Sequence, residues 1–472
     1  MSLVDRRAGL PATGRLWHHA RVHLARRTLL GAGLAATTAT LTGCADRPAR
    51  PAPGATGPTG GTGVPGRVAA SAPVAAPTSA TPTPRAAGPA PYAQRVTDIL
   101  TRHLKPTPAH PRHPAYAGAV ALAMVDGEIT MHTAVGHALR YAAGPRELPA
   151  RQRVPMRPDS IFDLASLTKV YTAILVLQLV DQGRVELAAP VQAYLPGFSG
   201  PGKERVTVAM LLAHTGALPV GAKVRGLSGD AARRAAVLGT PLLPGATPGD
   251  AFRYSSVGLM VLAQLVEQLT GTSLDRALRD GLTTPLGLRD TGFRPLTWLS
   301  ASAKAHRLVA TDARTSRGLL RGTVHDDVCA LLGGVAGHAG VFATAEEVAV
   351  IGQLLLNGGT YQGRRILSSA VVDRMLSNAN RGRRAYDPDR PGRPADHGLG
   401  VVLNQPWFMG DLAGPATFGH TGFTGTSLLV DPRRKLVLVL LTNRAHPNWS
   451  WSDPDPIRVA VADAVAAGLR PT

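Results

Sequence analysis

The chain changes character near Tyr92, and that break decides how much of it can fold. Ala45 to about Pro91 is built mainly from Pro, Ala, Thr, Gly and Ser, as in Pro51-Ala52-Pro53-Gly54 and Thr81-Pro82-Thr83-Pro84. Such a stretch holds too few bulky apolar side chains to offset the entropy of ordering. Residues 45–92 therefore read as an extended, disordered linker. Everything that packs must come from residues 93–472. The chain of 472 residues is 44% hydrophobic, enough for one large unit with a sizeable core after the linker.

Upstream, Ala25-Arg26-Arg27-Thr28-Leu29-Leu30 precedes a mild apolar stretch, Gly31 to Leu41, that ends in Leu41-Thr42-Gly43-Cys44. Paired arginines before such a region resemble a twin-arginine export signal. The tetrapeptide resembles a bacterial lipobox, where the chain is cut before the cysteine and the thiol is lipidated. The stretch is too short and too rich in threonine to span a bilayer permanently. Residues 1–44 are thus expected to be a lipoprotein signal. Cys44 would then anchor the protein at the extracytoplasmic face of the cell membrane. The only other cysteine, Cys329, reads as a small buried apolar residue, and two cysteines make no disulfide framework.

The formal net charge is +20. The basic residues are scattered, with no stripe and no aromatic-interleaved motif, so no nucleic-acid partner is expected. The excess fits a solvated surface, or attraction to anionic wall polymers.

After Tyr92, Ala93 to Leu104 reads as a helix. Val120 to Val125 is a buried strand, Asp126-Gly127 a tight turn, and Ile129 to Val135 a returning strand. Near the end, Gly425 to Val430 and Leu436 to Leu441 form a hairpin around Asp431-Pro432-Arg433-Arg434, and Ile457 to Leu469 closes as a helix. Val206 to Leu212 and Val257 to Leu269 are helical between them. Thr344 and Glu347 make a capping box for the next helix. Early strands, central helices and late strands predict an α+β fold whose antiparallel sheet is assembled from both ends of the domain.

The chemistry starts at Ser166-Leu167-Thr168-Lys169, ahead of the apolar run Ala173 to Val180. On a helix, positions i and i+3 share a face, so the Lys169 amine can meet the Ser166 hydroxyl. An ordinary serine is a weak nucleophile and needs an adjacent base. A lysine held among apolar side chains can lose its proton and serve as that base. Two further segments join it. Tyr254-Ser255-Ser256 precedes an apolar helix, and His420-Thr421-Gly422 enters the late hairpin.

In order and approximate spacing these segments resemble the serine β-lactamase and penicillin-binding-protein superfamily, nearest its class C-like branch. That branch carries Ser-x-x-Lys, then Tyr-x-Asn, then Lys-Thr-Gly or a His variant. The Leu211–Gly216, Gly337–Thr344 and Gly419–Gly425 segments agree. The resemblance implies a β-lactamase/transpeptidase-like fold, an antiparallel sheet flanked by helices plus an all-helical lobe, with the site between them. It implies that Ser166 is the acylated nucleophile, that Lys169 helps deprotonate it, and that Tyr254 carries the proton to the leaving group. The oxyanion hole would be the backbone N–H groups of Ser166 and Phe423. Gly422 would let the substrate approach the strand, with Ser256, His420 and Thr421 facing it. No metal or organic cofactor is implied.

Two positions depart from the pattern. Ser256 stands where Asn is common, so the contact to a substrate amide is shorter or water-mediated. His420 stands where Lys is common, and an imidazole with a pKa near 6.5 is expected to greet a substrate carboxylate only when protonated. His325-Asp326-Asp327 lacks metal-site spacing and reads as solvated or capping. His214 and His338 read as hydrogen-bonded loop residues, and Trp449 and Trp451 as cleft or rim.

The expected protein is an exported, membrane-tethered, monomeric serine hydrolase that forms an acyl-enzyme on an amide or ester. A peptidoglycan-derived amide leads, in the manner of a muramyl-peptide amidase or a D-Ala-D-Ala carboxypeptidase. Gly419–Gly425 and Leu441–Pro447 resemble a subset that includes muramyl-L-alanine amidases. The alternatives are an esterase or β-lactamase on the same scaffold, or a catalytically idle wall-binding or penicillin-sensing protein. The intact set of Ser166, Lys169 and Tyr254 weighs against idleness.

Overall fold

The early hairpin and the late hairpin meet in one sheet. The computed structural model describes residues 90–108, 110–388 and 390–469. Cys44, the signal and nearly all of the linker lie outside the described residues. The labelled elements are α1 (Ala93–Arg102), β1 (Gly118–Val125), β2 (Glu128–Leu139), β3 (Val154–Pro155), α2 (Thr168–Asp181), α3 (Ser256–Thr270), α4 (Ala345–Leu356), β4 (Val402–Leu403), β5 (Phe418–Thr421), β6 (Thr426–Asp431), β7 (Leu436–Thr442) and α5 (Asp455–Gly468).

The seven strands run in the order β4-β5-β6-β7-β1-β2-β3, and every neighbouring pair is antiparallel. The two ends of the domain join where β1 pairs with β7, Ala119 opposite Thr442 and Val125 opposite Leu436. Apart from Thr442 at the end of β7, neither strand carries a polar side chain, because the sheet is covered on both faces. Val120, Leu122, Met124, Val437, Val439 and Leu441 point into the larger core with α2, α3 and α4. Ala119, Ala121, Ala123, Leu438 and Leu440 point the other way, into a second core with α1 and α5. The alternation is the period of two that a strand imposes.

On the far side of α4's core lies a largely helical lobe. It contains α2, α3 and the shorter helices Val208–Leu212, Asp230–Gly239 and Leu274–Leu278. A small three-stranded sheet, Phe162–Asp163, Val341–Ala343 and Gly292–Phe293, sits beside it. Helix α2 is buried without interruption from Thr168 to Leu177, its polar Lys169 and Thr172 included.

Local signals set most boundaries, with three differences. Val206 is extended, and the helix begins at Val208 because the Thr207 hydroxyl caps it by accepting from Met210 N–H. Ser166 does not open α2. It lies in a single 3₁₀ turn, Ala165–Leu167, just ahead of it. The capping box is half made. Thr344 accepts from Glu347 N–H, but the Glu347 carboxylate turns away to accept from the N–H groups of Arg289 and Asp290 and the Thr291 hydroxyl. Three better-placed donors outcompete the one that the box would offer.

Candidate active site

Ser166 is positioned by a strained neighbour. Ala165 adopts φ +48°, a left-handed conformation that costs a non-glycine residue about 1 kcal/mol or more. Two contacts hold it there. The buried Asp163 carboxylate accepts from Ala165 N–H at 2.9 Å, and its second oxygen accepts from His325 N–H at 2.7 Å. Burial raises the pKa of Asp163, with the His325 and Ala165 N–H donors opposing the shift.

The three side chains expected to act together do meet. Lys169 Nζ donates to Ser166 Oγ at 2.9 Å, and Tyr254 Oη donates to the same oxygen at 2.9 Å. Lys169 Nζ also lies 5.0 Å from the Tyr254 ring centroid. Lys169 has no solvent exposure, and it belongs to no ion pair among the described residues. Its second hydrogen bond goes to the His338 carbonyl at 3.0 Å. The His338 ring is in turn held by Asp326, Nε2 to Oδ1 2.9 Å. Burial pushes the Asp326 carboxyl up. The His338 ring, Cys329 N–H and Lys169 outweigh it and keep the carboxylate well below its usual range. Asp326 thus remains ionised behind the lysine. It also caps the helix Asp327–Leu331, the role expected for this segment.

Tyr254 is presented by the start of α3. Ser255 is the N-cap, accepting from Gly258 N–H and donating to Pro219 O at 2.6 Å. Ser256, the next residue, is half-exposed. Its N–H donates to Val220 O at 2.9 Å, and its hydroxyl has no protein partner among the described residues. Behind Tyr254, His214 Nδ1 accepts from Ser255 N–H at 3.1 Å, with ring centroids 4.7 Å apart from the tyrosine and 4.9 Å from His397.

The β5–β6 turn is fastened to the serine segment from behind. Thr424 Oγ1 donates to Asp163 O at 2.7 Å and Thr426 Oγ1 to Leu164 O at 2.9 Å. Arg458, buried and paired with Asp455, donates to the carbonyls of Gly422 and Thr426 at 2.9 Å each. These bonds fix the backbone that carries Phe423 N–H relative to that of Ser166. Thr421 is half-exposed at the end of β5.

Two expectations for this strand are corrected. His420 is 3% exposed, and its Nδ1 bonds the Thr421 carbonyl at 2.8 Å. Burial, then Lys169, pushes its pKa down to about 3. It cannot titrate near 6.5, so it does not serve as a switchable cation for substrate. Gly422 is also explained differently. A side chain there would run into the Leu164 carbonyl and the Thr426 hydroxyl, so the missing Cβ makes room for protein rather than for substrate.

The two tryptophans separate. Trp451 stacks on His113 at 3.7 Å and meets Tyr141 edge-on. Trp449 instead joins a rim around Phe423, 5.6 Å between centroids, with His325 on the other side at 5.4 Å. Sequence reasoning missed Asp326 and His397 as supports, and Arg458 as the clamp on the turn. No local spacing marks them, because each reaches the site from a distant part of the chain.

A serine hydroxyl shared by an amine and a phenol, at the seam of a sheet and a helical lobe, defines an acyl-transfer serine hydrolase. A family model for beta-lactamase matches residues 100–463, and the chain belongs to the beta-lactamase family. It is similar to an N-acetylmuramyl-L-alanine amidase of Bacillus subtilis (strain 168), 31% identical over 361 residues that cover 70% of this chain and 78% of the relative. It is also similar to a protein of Escherichia coli (strain K12) provisionally named a D-alanyl-D-alanine carboxypeptidase, 31% identical over 363 residues, 70% of this chain and 79% of the relative. The fold resembles that of a penicillin-binding protein homologue from Caulobacter crescentus, with a TM-score of 0.60 and 23% identity, covering 81% of this chain and 99% of that one.

Proposed function

We propose that this serine hydrolase acts through an acyl-enzyme on Ser166, on an amide derived from peptidoglycan. The observation that carries the reading is the Ser166 oxygen with Lys169 Nζ and Tyr254 Oη both at 2.9 Å. Ser166 Oγ attacks the substrate carbonyl. Its proton passes to the Lys169 amine or to the Tyr254 oxygen, the two groups already within reach. The oxyanion that forms is met by the N–H groups of Ser166 and Phe423. Tyr254, at the open side of the pair, then delivers a proton to the leaving amine. Water then attacks the acyl carbonyl and gives a proton to the same pair; the bond to Ser166 Oγ breaks as that proton returns to the serine oxygen, and the acid leaves.

The nearest oxygen partners of Lys169 are the Ser166 hydroxyl and the His338 carbonyl. Behind it, Asp326 holds the His338 ring.

The amide preference rests on the similarity to the Bacillus subtilis amidase and the Escherichia coli relative. Export by the twin-arginine segment and lipidation at Cys44 belong to the same proposal, motivated by Arg26-Arg27 and Leu41-Thr42-Gly43-Cys44. One panel tests the activity: a muramyl peptide, a D-Ala-D-Ala peptide, nitrocefin and p-nitrophenyl butyrate. Turnover should be greatest on the muramyl or D-Ala-D-Ala amide, with a fluorophosphonate probe attached at Ser166. Turnover confined to the ester would assign an esterase. Neither turnover nor labelling would mean an idle protein.

A further inference from the structure

The helical lobe holds a cavity of about 440 Å³ that none of Ser166, Lys169 and Tyr254 lines. One wall is the glycine-rich loop from Ser199 to Arg205. The other is the chain that leaves the helix Asp230–Gly239, with Pro241, Leu242 and Ala246. Small-molecule pockets occupy roughly 300–1,000 Å³, so the space is of ligand size.

Lys203 lines this cavity and is only 1% exposed. Among the described residues no carboxylate pairs with it. Its stem passes Gly200, where a side chain would lie 3.9 Å from Cδ and Cε. The ammonium group can donate three hydrogen bonds. One goes to the Leu238 carbonyl at 2.5 Å, the partner that a helix C-terminus offers a cation. The Phe198 ring centroid lies 4.6 Å from Nζ, and the face of a ring attracts a cation. The remaining donors have no protein acceptor among the described residues. Burial lowers the pKa of Lys203, as it does for a cation without a counter-ion. A buried charge is costly unless something pairs with it.

A second cation lies two residues on. Arg205 folds back beside Gly202, where a side chain would come within 3.8 Å of its Nη2. Glu204 lies 3.8 Å from Arg205 Nε, and both side chains are more than half exposed, so that pair holds the guanidinium weakly. Gly202 has φ +83°, and a side chain there would also come within 3.0 Å of Leu242. Glycine at this point lets the loop approach the apolar wall. One cavity thus joins two cations to an apolar surface.

We propose that this cavity binds a small organic anion, its oxyanion head held by Lys203 and Arg205 and its apolar body against Pro241, Leu242 and Ala246. The site is separate from the one at Ser166, and its ligand is not the amide that is cut there.

Binding of matched small probes to the full chain tests the site without depending on turnover. Benzoate and phenyl phosphate carry the two common oxyanion heads, and benzamide is the neutral counterpart of benzoate. By ligand-observed NMR, at least one anion should bind about tenfold tighter than benzamide or better, the size of one charge-assisted hydrogen bond. The tighter of the two identifies the head. Arg205→Glu changes an exposed side chain, a kind of substitution that seldom disturbs folding. It should bring that anion within about twofold of benzamide. Lys203→Arg keeps the charge and the helix cap while removing one lysine Cε resonance, which assigns Lys203 in the parent. The titration midpoint of that resonance should rise when the anion is present. A lysine that serves only to cap the helix would not respond. The absence of any anion preference, a preference that survives Arg205→Glu, or a Lys203 midpoint unmoved by the anion would each overturn the site. A surviving preference would place the anion elsewhere, the cleft at Ser166 included.

Discussion

Ser166, Lys169 and Tyr254 form one proton-transfer unit, and their substitution should act on turnover rather than on folding. Ser166→Ala should abolish both hydrolysis and covalent labelling while thermal melting stays close to the parent. Lys169→Ala and Tyr254→Phe should each lower kcat by on the order of 10² or more. Steady-state kinetics on the best amide of the panel checks both, and unchanged kcat in the pair would move the relay elsewhere. The buried histidines make a different prediction. The pKa values of His420, His397 and His446 are each depressed to about 3, with burial the leading cause, and that of His214 lies well below its usual value for the same reason. An unfolded chain takes up protons on these rings below about pH 6.5, which the folded chain refuses until the pH is far lower, about 3 for His420, His397 and His446. Their contribution to stability is therefore complete above about pH 6.5 and is lost progressively as the pH falls toward 3. Melting temperatures should drop steadily from about pH 6.5 to 4, while the anionic-to-neutral ratio of kcat/KM stays flat between about pH 5.5 and 8.5. A ratio that climbs with acid would restore His420 as the substrate-facing cation.

At the scale of elements, the site is a junction. The β5–β6 turn, the Ala165–Leu167 turn and the start of α3 each bring one chemical part, and side-chain hydrogen bonds to backbone carbonyls fasten the first two together. Gly422 is the tightest point of that junction. Gly422→Ala should force the turn away from Leu164 and displace the Phe423 N–H, which is proposed to face the oxyanion. Losing such a donor costs on the order of 3 kcal/mol in the transition state, so kcat should fall at least tenfold, with a lowered melting temperature. Kinetics together with calorimetry tests this. A variant with parent activity would show that the turn does not hold the oxyanion. The support behind Lys169 acts over a longer path. Asp326→Asn keeps the cap on the helix Asp327–Leu331 but removes the charge that faces His338. It should lower kcat about tenfold with little change in melting temperature, an effect read as a loss of positioning.

At the scale of the whole molecule, the question is where the hydrolase works. No single helix among the described residues is long and apolar enough to cross a membrane, and the proposed attachment is through Cys44. The protein should fractionate with membranes, and mass spectrometry should find a chain that begins at a lipidated Cys44. Cys44→Ala should release it from membranes with kcat unchanged, because residues 45–92 are expected to contribute nothing to the site. An uncleaved, unmodified N-terminus would remove the anchor from the proposal. The net charge of +20 fits work near anionic wall polymers, and salt should weaken retention on isolated cell walls if it does.

By itself the sequence determined what short stretches of chain can decide. The apolar runs that became β1, β6 and β7 were legible, because alternation and strand length are local properties. So were the cap at Thr344, the apolar run that became α3, and the Ser166–Lys169 spacing, where two residues separate two groups on one turn. The motifs at Tyr254 and His420 were legible as members of a set. The tertiary structure alone decided what surrounds them. Lys169 finds its second acceptor in His338, 169 residues away, and Asp163 takes its second donor from His325, 162 residues away. No spacing encodes such meetings, since they arise when distant segments pack. The charge state of His420 was misread for the same reason. A side chain's pKa follows its burial, burial follows from the neighbours that cover it, and those neighbours come from every part of the fold.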